Sequence, residues 1–333
     1  MTVKVAINGF GRIGRCVLRS LVETGRNDIT VVAVNDLAPV ETNAHLLKYD
    51  SVHGTLNTDI HVEGDLMVVS GRDIRVSAER DPSQLGWNDV DVALECTGIF
   101  TKREAAVQHL SNGSRKVLVS APAAGADKTV VFGVNENTLT GTDVVVSNAS
   151  CTTNCLAPVA KVLDDAFGIK TGYMTTIHSY TGDQPSLDTA HKDLYRARAA
   201  AVSMIPTSTG AARAVGEVLP QLKGKLDGSA IRVPTPNVSA VDLCFMPGRN
   251  VTVEEVNDAI RSAAETTMKG VLAVTDAPLV STDFNHNPHS SIFATDQTRL
   301  TDGGMVRVLS WYDNEWGFSN RMLDTAGVMA AVK

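Results

Sequence analysis

Residues 3–36 leave little freedom in what the amino-terminal part of this chain can fold into. Val3 to Asn8 is a short apolar run of strand type that ends directly on Gly9-Phe10-Gly11-Arg12-Ile13-Gly14, a G-x-G-x-x-G spacing. A helical pattern opens in this turn and runs to about Thr24, with Gly25 as its terminating residue. Ile29 to Val34 reads as a second, β-branched strand, and it ends at Asn35-Asp36. The three glycines serve different ends. Gly9 permits the tight turn, Gly11 lets a pyrophosphate approach the backbone, and Gly14 lets helix and strand pack closely. The free N–H groups of the helix start then face the anion. Asp36 falls 22 positions after Gly14, the register at which an acid meets a ribose in such a motif. The alternative is an ordinary tight strand–helix turn. Strand, glycines, helix, strand and acid in this order predict a dinucleotide site. Asp36 favours NAD over NADP, because a 2′-phosphate there would meet a like charge.

The pattern continues as a doubly wound sheet. Ile60 to Val76 alternates apolar and polar residues around Gly64-Asp65 and Ser70-Gly71, which predicts inserted antiparallel hairpins. Asp91 to Cys96 and Lys116 to Ser120 are further short strands, with a polar helical stretch from Thr101 to Leu110 between them. Alternating strands and helices imply a parallel α/β sheet, and ligands bind at the carboxyl ends of its strands. Thr97-Gly98 and Ser120-Ala121-Pro122 are therefore expected to face the cofactor, unless they are simple turns.

A second chemical focus is Ser147-Asn148-Ala149-Ser150-Cys151-Thr152-Thr153-Asn154-Cys155. It joins an apolar run, Val144 to Val146, to a helical one, Leu156 to Phe167, in which Pro158 predicts a kink. Ser150 is a suitable N-cap. A thiol at a helix start is drawn toward thiolate, from a free pKa of about 8.5 to roughly 3.5–7.5. The plain alternative for Cys151 is a small buried residue near a cap. Tyr173 to His178 is a strand ending in a histidine, and a cysteine with a reachable histidine is the minimum for activated thiol chemistry. A structural role satisfied by the backbone is the competing reading of His178.

Beyond Cys151 the character of the sequence changes. Ser179 to Ala201 is polar and reads as a long ordered loop. Pro206-Thr207-Ser208-Thr209-Gly210 precedes a helical run and reads as a turn that is either an anion cradle or a plain cap. Ile231-Arg232-Val233 puts an arginine inside an apolar strand, where an unpaired charge is costly, so an anionic ligand or a carboxylate is expected beside it. Val238 to Met246, Val271 to Thr275, Ser290 to Ala294 and Met305 to Tyr312 are strand-like, and Val253 to Met268 is helical. The expected architecture is α/β: a doubly wound Rossmann sheet in residues 1–150, completed by a C-terminal helix in 316–333, and an α+β domain with a mostly antiparallel sheet in 151–315.

Composition narrows the class. Charged residues make up 20% and hydrophobic ones 43% of 333, which excludes disorder, and no apolar run has transmembrane length. A net charge of −7 argues against a nucleic-acid footprint. The five cysteines are scattered, unlike a disulfide framework, and Cys151 and Cys155 have no cluster around them to make a metal site. A reduced, cytoplasmic protein fits, and the start of the chain reads as a strand without a signal peptide.

Ile7 to Arg15, Ser147 to Cys155, Pro206 to Gly210, Arg232-Val233-Pro234-Thr235-Pro236 and Trp311-Tyr312-Asp313-Asn314-Glu315 resemble the phosphorylating glyceraldehyde-3-phosphate dehydrogenases over essentially the whole chain. The resemblance implies an NAD-dependent enzyme of glycolysis or gluconeogenesis, a cytoplasmic homotetramer with the 179–201 loop at an interface. It implies Cys151 as nucleophile, forming a thiohemiacetal and then a thioester cleaved by inorganic phosphate, and His178 as base. It further implies Thr181 and Arg232 at the substrate phosphate, and Ser150, Thr152, Thr209 and Gly210 at the attacking phosphate. The implied cofactor contacts are Gly9, Gly11, Arg12, Ile13, Gly14, Asp36, Arg80, Ser120 and Asn314, the last at the carboxamide. Thr189-Ala190 and the segment His178 to Gln184 are similar to plastid-type enzymes that also accept NADPH, so dual use of NADP is open. Asp283 to Ser290 is similar to erythrose-4-phosphate dehydrogenase. A protein that binds NAD without catalysis is the reading from another class.

Overall fold

The strand Val3–Asn8 lies at the middle of its sheet, and its place there decides where the first half of the chain can bind anything. The structure, a computed structural model, describes residues 2–332. Chain contacts divide them into two units, Met1–Ser150 with Ser319–Lys333, and Cys151–Phe318.

In the first unit Val3–Asn8 pairs in parallel with Ile29–Asn35 on one side and Val92–Glu95 on the other. Ile29–Asn35 continues to Arg72–Ser77, also in parallel. From there the antiparallel strands Leu66–Val69 and Ile60–Glu63 extend the edge, as the alternation over 60–76 predicts. On the other side follow Lys116–Val119, Val145–Ser147 and the short Lys128–Thr129, all parallel. Among the described residues this sheet has nine strands. The chain winds first to one side of Val3–Asn8 and later to the other, so the switch point lies between Val3–Asn8 and Val92–Glu95. The expected helix over 101–110 is two short ones, Arg103–Ala106 and Gln108–Ser111.

The second unit is built on an eight-stranded sheet, counted over the described residues. Its order is Ile205–Ser208, Leu226–Val233, Ile169–Ser179, Ser239–Pro247, Val306–Tyr312, Ser291–Ala294 and Leu272–Thr275, with Arg299–Leu300 beside Val306–Tyr312. Two pairings are parallel, Ile169–Ser179 with Leu226–Val233 and Leu272–Thr275 with Ser291–Ala294. The others are antiparallel, as expected. Helix Cys151–Phe167 packs on this sheet and against the helices Ala211–Val218 and Val253–Glu265. Pro158 does not end it: Cys155, Leu156, Ala157, Val159 and Ala160 around it are all buried. That burial outweighs the roughly 3 kcal/mol an internal proline costs. Residues 206–208 form a strand where the sequence reads as a turn. The strand is at the sheet's edge, where a proline's missing N–H costs no ladder bond.

Candidate active site

At the switch point of the first unit the carboxyl ends of four strands open a cleft of about 430 Å³, lined among others by Asn8, Gly9, Gly11, Asp36, Arg80 and Thr97. Gly9 takes φ +89°, and a Cβ there would stand 2.6 Å from the Thr97 nitrogen. A Cβ on Gly14 would stand 2.2 Å from the Gly9 carbonyl oxygen, so helix and strand meet too closely for any side chain. Gly11 is the opposite case: among the described residues no atom beyond its own chain neighbours lies within 4 Å of its Cβ position, which leaves a bare backbone for an anion to approach. The Asp36 carboxylate accepts from the N–H of Phe10 at 2.8 Å and of Ala38 at 3.0 Å. Two accepted bonds leave a carboxylate with room for a ribose hydroxyl. This cradle fits a dinucleotide.

Arg12 and Ile13 begin the helix Arg12–Glu23. Arg12 forks onto Asp50 through both terminal nitrogens. Burial alone would raise the Asp50 carboxyl, but Arg12 and the N–H groups of His53 and Val52 together hold it far below the usual range. Ser120 follows the strand Lys116–Val119 and donates its N–H to the Glu95 carbonyl. Beneath the cleft, buried Glu95 accepts from Asn8 Nδ2 at 2.7 Å and Thr97 N–H at 2.9 Å, and contacts His109 Nε2 at 2.9 Å.

In the second unit, helix Cys151–Phe167 starts on Cys151 itself, directly after Ser150. Ala149, two residues earlier, has φ +55°, the left-handed turn that brings the chain from strand to helix. The Cys151 sulfur lies 3.6 Å from His178 Nε2. His178 sits near the end of Ile169–Ser179, in register with Arg232 on the neighbouring parallel strand. Its Nδ1 is 2.7 Å from the Ser179 carbonyl and 2.8 Å from Arg232 Nη1. A carbonyl only accepts and a guanidinium only donates, so these two contacts select opposite tautomers. With the proton on Nδ1, held by Ser179, Nε2 turns a free lone pair to the sulfur. With the proton on Nε2, Nδ1 accepts from Arg232 and the ring donates to the sulfur. Burial first, and Arg232 second, lower the His178 pKa to about 3, so the imidazole is neutral in neutral solution.

Burial pushes the Cys151 thiol up, while Arg232, the Thr152 hydroxyl and the N–H groups of Thr152 and Cys151 pull it down. The downward shift expected of a helix start is thus outweighed by desolvation. Arg232 makes no salt bridge among the described residues, and its Nε is a buried donor without a partner there. The carboxylate considered for it is therefore not beside it, and its charge is open to an anion. Thr209 accepts the Ala211 N–H at 3.1 Å, and Gly210 precedes the helix Ala211–Val218. Thr153 donates to the Ala211 carbonyl at 3.3 Å, which ties that helix start to the first turn after Cys151. Thr181 is half-buried in the turn just past Ser179.

No local pattern in the sequence gives a role to Tyr312, Ser179 or Ser239. The buried Tyr312 hydroxyl bridges Thr152 Oγ1 at 2.8 Å and Thr176 Oγ1 at 3.1 Å, and its ring stands edge-on to His178 at 5.9 Å. Asn314, the one expected cofactor residue placed in the second unit, accepts from Ser179 Oγ at 2.8 Å and Ser239 Oγ at 2.9 Å.

A dinucleotide cradle in one unit and a cysteine–histidine pair in the other define the class of thiol-dependent dehydrogenases. The chain belongs to the glyceraldehyde-3-phosphate dehydrogenase family. Residues 3–103 match the family's NAD binding domain, and residues 150–314 match the glyceraldehyde 3-phosphate dehydrogenase C-terminal domain. It is 67% identical over 329 residues to glyceraldehyde-3-phosphate dehydrogenase of Cereibacter sphaeroides, covering 99% of each chain. To that of Xanthobacter flavus it is 66% identical over 331 residues, and to glyceraldehyde-3-phosphate dehydrogenase 1 of Bacillus subtilis 56% over 333, again with 99% of each chain. No helix among the described residues is long and apolar enough to cross a membrane.

Proposed function

We propose that the protein oxidises D-glyceraldehyde 3-phosphate with NAD and inorganic phosphate to 1,3-bisphosphoglycerate, through covalent intermediates on Cys151. The observation that carries this mechanism is the Cys151 sulfur 3.6 Å from His178 Nε2, with the uncompensated Arg232 on the other nitrogen of the same ring. The Cys151 sulfur adds to the aldehyde carbon while the thiol proton passes by way of His178 to the carbonyl oxygen, giving a thiohemiacetal. His178 Nε2, neutral and oriented by Ser179, then takes the hydroxyl proton as the carbon is oxidised to the thioester. When bound, NAD supplies the acceptor for the hydride that this carbon loses. Phosphate attacks the thioester carbon, the C–S bond breaks, and Cys151 leaves as a thiolate that is reprotonated. Covalent capture divides one difficult step into two easier ones.

Arg232 and Thr181 are assigned to the substrate phosphate; Ser150, Thr152, Thr209 and Gly210 are assigned to the attacking phosphate. The helix start at Cys151 and Thr152 would stabilise the oxyanion. Gly9, Gly11, Arg12, Ile13, Gly14, Asp36, Arg80 and Ser120 are assigned to NAD, with Asn314 at its carboxamide. Residues 1–150 with the C-terminal helix would bind the cofactor, and 151–315 would carry the chemistry. The protein is assigned to the cytoplasm as a homotetramer with the 179–201 loop at an interface; in that loop Leu187 is 77% and Leu194 81% exposed, an apolar surface suited to a second copy.

The test is NADH formation with phosphate present, for glyceraldehyde 3-phosphate or erythrose 4-phosphate against NAD or NADP. The triose phosphate with NAD is expected to be fastest, and a faster tetrose would move the assignment. Cys151→Ser is expected to lose nearly all turnover while still binding NAD. Substantial residual turnover would remove Cys151 from the chemistry.

A further inference from the structure

Asn314 is a residue whose usefulness depends on which way its amide points. Its Oδ1 is occupied by two hydroxyls, Ser179 Oγ at 2.8 Å and Ser239 Oγ at 2.9 Å. Both serines are fully buried. Ser239 Oγ accepts the Ser179 N–H at 3.1 Å, which turns its own proton toward Asn314. Were the amide reversed, its NH2 could donate to both hydroxyl oxygens, but among the described residues the two hydroxyl protons would then have only each other's oxygen, at 3.4 Å, to turn to, so the reversed amide forfeits the two bonds that Oδ1 receives. The Asn314 Nδ2 has no protein partner among the described residues. It is left as the outward-facing donor.

Ser179 is itself fixed on every polar group. Its N–H is given to Ser239, and its carbonyl faces His178 Nδ1 at 2.7 Å and Arg232 Nη1 at 2.9 Å. The strand pairing beneath it, His178 with Arg232 and Ser179 with Val233, sets that carbonyl in place. One residue thus faces the base with its backbone and Asn314 with its side chain.

We propose that Ser179, seconded by Ser239, is a positioning residue that locks the Asn314 amide with its NH2 outward, so that the residue receiving the cofactor carboxamide is set by the same strand end that orients the base. This rests on the assignment of Asn314 to the carboxamide made above. A buried hydroxyl pair does this better than water, which would let the amide turn over. Ser179 acts through Asn314 and touches neither the sulfur nor the imidazole with its hydroxyl.

The experiment is a double-mutant cycle on kcat/KM for NAD, with Ser179→Ala, Asn314→Ala and both together, in the full-length protein. Ser179→Ala is expected to cost about tenfold, the scale of one lost hydrogen bond to a group left unsatisfied. In the Asn314→Ala background the same change is expected to cost nothing further, because its effect passes through Asn314. Ser179→Thr, which keeps the hydroxyl, should restore most of the loss. The rate of Cys151 alkylation by iodoacetamide should stay unchanged in Ser179→Ala, since the carbonyl facing His178 remains.

Equal losses in both backgrounds, or no loss in Ser179→Ala, would overturn the proposal while leaving Asn314 in its role. An Asn314→Ala variant with unchanged kcat/KM would remove Asn314 from the carboxamide, and the proposal with it. Should Ser179→Ala not fold, Ser239→Ala runs the same cycle, since it removes the other donor to the same oxygen.

Discussion

His178 couples chemistry to acid stability. Its folded pKa of about 3 lies below the ordinary value of about 6.5, because burial and Arg232 both oppose a charged ring. Above about pH 6.5 it is neutral in the folded and unfolded chain alike. As pH falls from there toward about 3, the unfolded chain takes up a proton that the folded one refuses, so this group subtracts stability progressively. His178→Asn is expected to lower turnover by roughly 10²–10⁴-fold and to make the acid-side fall in melting temperature shallower over that window. Rate assays and melting curves on a pH series check both effects. A variant with reduced turnover and an unchanged acid slope would mean that the buried ring does not titrate as its surroundings require. Ser179, Ser239 and Tyr312 belong to the same scale. Their partners lie 60 to 160 positions away, at Ser239, Asn314 and Thr152. Nothing in their local sequence marks them.

At the scale of elements, the glycine turn was legible because each glycine answers a local steric demand. Gly14 meets the Gly9 carbonyl at a distance where no Cβ fits. Gly14→Ala is therefore expected to destabilise the first unit by roughly 1–3 kcal/mol and to weaken NAD binding, with little change in Cys151 alkylation. Calorimetry with and without NAD measures both; full retention of NAD affinity would mean the turn tolerates a wider spacing. The strand ending in His178 and the helix opening on Cys151 were legible for a like reason, since apolar runs and hydroxyl caps are local signals. Ile205–Ser208 was not. Proline and hydroxyl residues read as a turn, and only the edge position of that strand makes them acceptable. Nor does local sequence reveal a carboxylate such as Glu95, whose partners Asn8 and His109 come from other elements. The downward thiol shift failed for a physical reason: a helix start lowers a pKa, and burial of the same sulfur raises it by more.

At the scale of the molecule, the first unit is assembled from two stretches of chain separated by the whole of the second. The helix Trp316–Ala331 supplies the later piece. Ser20 donates to Asn320 at 2.8 Å, Arg26 pairs with Asp324 at 2.6 Å, Thr325 donates to Asn148 at 2.9 Å, and Lys116 donates to the Met329 carbonyl at 2.7 Å. Met322, Leu323, Ala326 and Met329 are fully buried. Removing residues 319–333 is expected to unfold the first unit, since each large apolar side chain withdrawn costs about 1.5–3 kcal/mol. NAD binding should disappear, and hydrogen exchange should become fast in 3–8 and 29–35. Retained NAD affinity in the truncated chain would show that the glycine turn needs no help from this helix. The order of synthesis adds a further consequence. At roughly 5–20 residues per second a nascent chain makes the second unit's 151–318 segment in about 10–30 seconds. Throughout that interval Ser20, Arg26, Lys116 and Asn148 of the first unit wait without the helix that partners them. A protein whose cradle is specified in its opening residues is thus completed there last, and its dependence on chaperones should be greatest while its catalytic half is being made.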